Sequence, residues 1–79
     1  MIYRETIQTG EGTYSAVFEV AEEGGYIARF PAIADLVTEG RTLDEARAMA
    51  ADCLQGYLET LRELGRPLPA DEAKQLKTT

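Results

Sequence analysis

Residues 42–67 read TLDEARAMAADCLQGYLETLRELGRP, and their period decides the fold. Leu43, Ala46, Ala50, Cys53, Leu54, Tyr57, Leu61 and Leu64 recur at spacings of three and four, with Asp52, Glu59, Arg62 and Glu63 outside the stripe. That is the pattern of an amphipathic helix with one face on a core. Both of its ends are signalled. Thr42 can accept from the amide three residues on while Glu45 reaches back to the helix start, and Asp44 and Glu45 suit the positive end of the helix dipole. Gly65 stands where a C-terminal cap belongs, and Pro67 and Pro69 prevent continuation. A helix from about Thr42 to Leu64 is predicted.

Upstream the period changes to two. Tyr14, Ala16, Phe18 and Val20 alternate with Ser15, Val17, Glu19 and Ala21, as in a half-buried strand. Glu22, Glu23, Gly24 and Gly25 supply charge and backbone freedom for a reversal. Tyr26 to Phe30 form the returning strand, stopped by Pro31, and Leu36 to Thr38 add a short third strand before Gly40. The predicted class is α+β, a three-stranded antiparallel sheet with one long helix packed on it. Ile2, Tyr3 and Ile7 suit either an edge strand or a short helical turn, so residues 1–12 are an N-terminal segment on a core of residues 13–69. Leu68 is expected to tether an extended segment to that core, and residues 70–79 are a polar tail. The whole is a single domain.

A chain of 79 residues builds one modest core, since a domain this short buries only roughly 60% of the surface its unfolded chain exposes. Small domains with too little core rely on disulfides, metals or self-association. Cys53 is the single cysteine and there is no histidine, so neither an intrachain bridge nor a zinc site is expected. A homodimer or higher homo-oligomer is the route that remains. The missing histidine also removes the commonest general base and the usual partner of a serine or cysteine nucleophile.

No signal peptide or membrane span is legible, which points to a cytoplasmic setting. The net charge of −6 is uneven: residues 1–45 hold nine acids and three bases, whereas residues 46–79 hold five of each. Such a field repels nucleic acid and anionic membranes and attracts basic partners.

The candidate chemistry is sparse. Cys53 sits on the helix stripe, where a small buried thiol packs as an apolar residue, and Arg47 and Arg62 lie at offsets pointing away from it. Glu19, Asp35, Glu39 and Asp44 lack ligand spacing for a divalent cation. Gly24-Gly25 lacks the setting and the lysine of a phosphate loop. Tyr14, Tyr26 and Tyr57 suit a core with polar tips at the rim better than base stacking on so acidic a sheet. No cofactor is expected, and binding rather than catalysis is the predicted activity.

The run from Glu22 to Ala70, EEGGYIARFPAIADLVTEGRTLDEARAMAADCLQGYLETLRELGRPLPA, resembles the HicB family of antitoxins. The resemblance rests on Gly24, Gly25, Tyr26, Pro31, Gly40, Thr42, Glu45, Ala46, Gly65 and Pro69 in that order and spacing. It implies a partial ribonuclease H-like fold without that fold's catalytic carboxylates. It also implies a partner, HicA, a small basic ribonuclease with a double-stranded-RNA-binding fold that the antitoxin silences. Glu22, Glu23, Asp35 and Glu39 are the candidate partner-binding residues. After Pro31 the family has a leucine-proline-glycine-cysteine turn, where this chain has Ile33, Ala34, Asp35 and Leu36. Many such antitoxins continue into an operator-binding domain, whereas this chain stops at Thr79, so operator binding by it alone is not expected. A stand-alone homo-oligomeric module is the alternative, and a metal-dependent nuclease the least supported.

Overall fold

The computed structural model of the chain describes residues 2–70. The element order is β1 (Ile2–Thr9), β2 (Gly12–Val20), β3 (Tyr26–Phe30), β4 (Ile33–Gly40) and α1 (Leu43–Glu63). The strands form one antiparallel meander in the order β1-β2-β3-β4, and α1 crosses one face of it. The α+β class and the single long helix are as predicted. The strand count is not: the sheet has four strands rather than three, because the N-terminal segment pairs along its length with β2, from Ile2 opposite Glu19 to Thr9 opposite Gly12.

The missed strand has a polar cause. On β1 the residues that share a face with the β2 core are Tyr3, Glu5 and Ile7, opposite Phe18, Ala16 and Tyr14. Glu5 in the middle of that row breaks the apolar alternation. Arg47 of α1 answers it with a bidentate contact, Nε to Oε1 at 2.8 Å and Nη2 to Oε2 at 2.7 Å. Two further polar contacts pin the β1–β2 hairpin to the helix: the Gly10 amide donates to Gln55 Oε1 at 3.0 Å, and Arg62 Nη1 donates to Glu11 at 2.8 Å.

Strand β4 is also longer than expected. It begins at Ile33, so the turn after β3 is confined to Pro31 and Ala32. The segment Ile33 to Leu36, where the resemblance places a turn, is strand. Among the described residues no non-glycine adopts positive φ, so Asp35 is not left-handed. A register shift at Arg29/Phe30 brings Phe30 opposite Ile33 and turns both inward.

The core lies between the sheet and α1. Ile7, Tyr14, Ala16, Phe18, Ala28, Phe30 and Ile33 meet Ala46, Ala50, Leu54 and Leu58. The helix stripe thus runs on a straight four-residue ladder that includes Leu58, which the predicted stripe omitted. Cys53, Tyr57 and Leu61 flank it half-buried, while Leu64 is 63% exposed. The caps are as predicted. The Glu45 amide donates to Thr42 Oγ1 at 3.0 Å, and Glu45 Oε1 accepts from the Arg41 amide at 2.9 Å. Gly65 has φ of 71° and donates to the Arg62 carbonyl while Arg66 donates to that of Leu61, the paired closure that satisfies the orphan carbonyls of a helix end.

Leu68 packs against the core as expected, and the Tyr14 hydroxyl donates to the Pro69 carbonyl at 2.6 Å, fastening the same segment. The expected tail lies outside the described residues apart from Ala70. Among the described residues no helix lies on the sheet's other face. Its exposed and half-exposed side chains alternate from strand to strand: Ile2, Glu19, Ile27 and Glu39 in one row, and Arg4, Val17, Arg29 and Val37 in the next.

Candidate functional site: an acidic groove at the hairpin end

Two chain reversals meet at one end of the molecule. The β2–β3 turn at Glu22 to Gly25 closes with the Gly24 amide donating to the Ala21 carbonyl at 3.1 Å and the Ala21 amide to the Gly25 carbonyl at 3.0 Å. Beside it, β4 ends at Gly40 and the chain turns into α1. These segments touch through backbone. A Cβ on Gly25, whose φ is 81°, would stand 2.8 Å from the Gly40 carbonyl oxygen, and one on Gly40 would stand 2.4 Å from the Ala46 nitrogen. Gly25 is therefore demanded by close approach as well as by its positive φ, and Gly40 by close approach.

Because backbone forms the contact, the space above it is an open groove of about 600 Å³, lined by Glu23, Gly24, Gly25, Glu39, Gly40, Arg41, Glu45 and Met49. Three carboxylates stand here against one guanidinium. Glu45 is partly engaged by the Arg41 amide, whereas Glu23 and Glu39 are exposed on the rim. Met49, 46% exposed, is the apolar side chain of the groove. Such a surface suits a cationic side chain with an aliphatic stem, which pairs its head with carboxylates and lays its stem along methionine.

Of the four predicted residues the structure brings Glu23 and Glu39 together, with Glu22 exposed on the same turn. Asp35 is set apart, four residues back along β4 from Glu39, or about 13 Å of strand. Glu45 and Met49 were missed as site residues. Glu45 was assigned to helix capping and Met49 to neither face, and only the reversal after Gly40 carries both to the turn. Elsewhere, Arg47 lies against Glu5 and Asp44, and its hydrogen bonds hold the Glu5 carboxyl below the ordinary carboxylate range, against the opposing effect of burial. Among the described residues no cluster of three His, Cys, Asp or Glu side chains could hold a metal ion, and no helix is long and apolar enough to cross a membrane.

No protein-family model matches the sequence, and no solved structure matches it. Two curated relatives do. Over 63 residues the chain is 36% identical to Antitoxin HicB 1 of Photorhabdus laumondii, a stretch covering 75% of this chain. Over that stretch the chain is similar to a HicB antitoxin. It spans 41% of that antitoxin's length. A UPF0150 protein of Thermoplasma acidophilum is 27% identical over 63 residues, covering 80% of this chain and 91% of the relative. Gly24, Gly25, Gly40 and Glu45, among the residues on which the resemblance rested, line the groove.

Proposed function

We propose that this HicB-like chain is an antitoxin-type binding module that neutralises a small basic ribonuclease of the HicA type by covering its RNA-binding face. The relationship to Antitoxin HicB 1 carries the proposal, and the groove supports it, since carboxylates ranged on one rim present to a basic partner what a phosphate backbone would present. Glu22, Glu23 and Glu39 act chiefly on encounter, because they are exposed and their field extends over a Debye length of about 10 Å at 0.1 M salt. Stopped-flow association with a HicA-type ribonuclease tests this. Replacing Glu22, Glu23 and Glu39 together by glutamine is expected to slow association about tenfold at low salt while changing dissociation little. The control pair Asp52→Asn and Glu59→Gln, on the outer face of α1, should leave the rate unchanged. Equal effects of the two sets, or none from either, would refute electrostatic mimicry.

The second reading is a stand-alone homo-oligomeric module with another partner. It is favoured by the UPF0150 relative, which the match spans over 91% of its length. Failure of any HicA-type ribonuclease to bind at low salt would decide for it.

A further inference from the structure

We infer that the face of the sheet opposite α1 is the contact between two copies of this chain, set on a two-fold axis along the line from Val17 to Ile27. The register makes these two residues opposite corners of a small rectangle. Val17 lies opposite Arg29 and Glu19 opposite Ile27, so Glu19 and Arg29 occupy the other two corners. With strands about 4.8 Å apart and same-face residues about 6.7 Å apart along a strand, the rectangle measures about 4.8 by 6.7 Å.

A two-fold axis running parallel to the face, midway between two packed sheets and above the Val17–Ile27 diagonal, sets each of those residues opposite its own copy, Val17 facing Val17 and Ile27 facing Ile27. Seen along the normal to the sheets, the same rotation brings Glu19 of one copy to within about 3 Å of Arg29 of the other, and Arg29 likewise to Glu19, on the strand spacings just given. Each copy therefore offers acid to base and base to acid in one arrangement, with apolar side chains along the axis. The strands of the two sheets then cross steeply, which is the orthogonal mode of sheet packing. Within one chain Glu19 and Arg29 already stand 3.8 Å apart with half-exposed side chains. Pairing two copies closes them into a ring of four alternating charges.

The surroundings fit the same occupant. Ile2, 65% exposed, and Val37, 47% exposed, flank the rectangle on the edge strands. A shallow depression of about 390 Å³ between β3 and β4, lined by Ile27, Arg29, Val37, Thr38 and Glu39, leaves room for an opposing side chain. Charge selects the face too. Copies of a chain with net charge −6 repel one another, whereas the two rows of this face hold Glu19 and Glu39 against Arg4 and Arg29 and balance to zero. The groove stays open at the end of the pair, with Glu39 at the border, so the inference does not rest on the partner proposed above.

Sedimentation velocity at micromolar concentration tests it, with far-UV circular dichroism to confirm that every variant is folded. The wild type is expected to be a dimer. Glu19→Arg alone and Arg29→Glu alone each place like charges across the axis and should raise the dimer dissociation constant at least ~100-fold. An equimolar mixture of the two single variants should recover a heterodimer, because one chain then carries two bases where the other carries two acids. The double variant carrying both changes should dimerise with itself. A monomeric wild type, single variants that remain dimeric, or single variants that fail to recover on mixing would each overturn the assignment.

Discussion

Replacing Gly40 by alanine adds one methyl group at the most crowded backbone junction of the molecule. The added carbon would lie 2.4 Å from the Ala46 nitrogen, 2.7 Å from the Ala46 Cα and 2.9 Å from the Glu45 carbonyl carbon. No side-chain rotamer relieves this, since all three atoms belong to the first turn of α1, whose own cap depends on Thr42 and Glu45 staying where they are. Ordinary contact begins near 3.4 Å, so the strand end and the helix start must part by the order of an ångström. Forcing an extra methyl group into a packed site costs about 1–3 kcal/mol, and a rigid backbone neighbour argues for the upper end. For a domain of this size about 2–3 kcal/mol lowers the thermal midpoint by roughly 10–20 °C. Gly56→Ala is the matched comparison: it adds the same atom in mid-helix, where nothing stands within 4 Å. It should stabilise by up to about 1 kcal/mol through helix propensity. Thermal unfolding followed by far-UV circular dichroism reads both. If Gly40→Ala unfolds within a few degrees of the wild type, the junction is not close-packed and the account of the groove floor fails.

Leu58→Ala removes a fully buried side chain of the helix ladder and is expected to cost about 2–5 kcal/mol in urea unfolding; a loss under about 1 kcal/mol would mean that the outer end of the ladder is loosely packed. For Glu5 the hydrogen bonds from Arg47 depress the folded-state carboxyl below its ordinary value of 4.5. Its contribution is therefore present above the unfolded value and lost as pH falls through the lower folded value. The stability difference between wild type and Glu5→Gln should then be constant near neutrality and shrink as pH drops below that ordinary value, and a difference independent of pH would refute the pairing.

The legible parts of this fold are those whose signals are local. The capping of α1 could be read from Thr42, Glu45 and Gly65 because each acts within a turn of its own position. The β2–β3 hairpin could be read because Tyr14, Ala16 and Phe18 alternate without interruption up to the glycine pair. Strand β1 could not, because its central inward residue is Glu5 and the residue that makes it tolerable, Arg47, lies on a helix 42 positions away. The extra length of β4 was hidden for a related reason: Ala34 and Asp35 lie at the exposed edge, and a bulge in the register conceals the alternation. At the candidate site, Glu22, Glu23 and Glu39 were named from the charge asymmetry together with the resemblance. Glu45 and Met49 were not, since only the reversal at Gly40 brings the first turns of the helix beside the β2–β3 turn.

The meander has a kinetic consequence. Every strand pairs with its neighbour in sequence and the helix follows the last strand directly, so the strand pairings close short loops, and the long ones are closed when α1 and the segment after it meet β1 and β2. Small mixed domains of this kind fold at rates between those of helical bundles and those of all-β barrels. Hairpins can close in about 1–10 μs each, and the sheet can grow from either end before α1 settles on it. The association steps proposed above, of two copies or of a copy with a basic ribonuclease, would follow folding at a pace set by concentration.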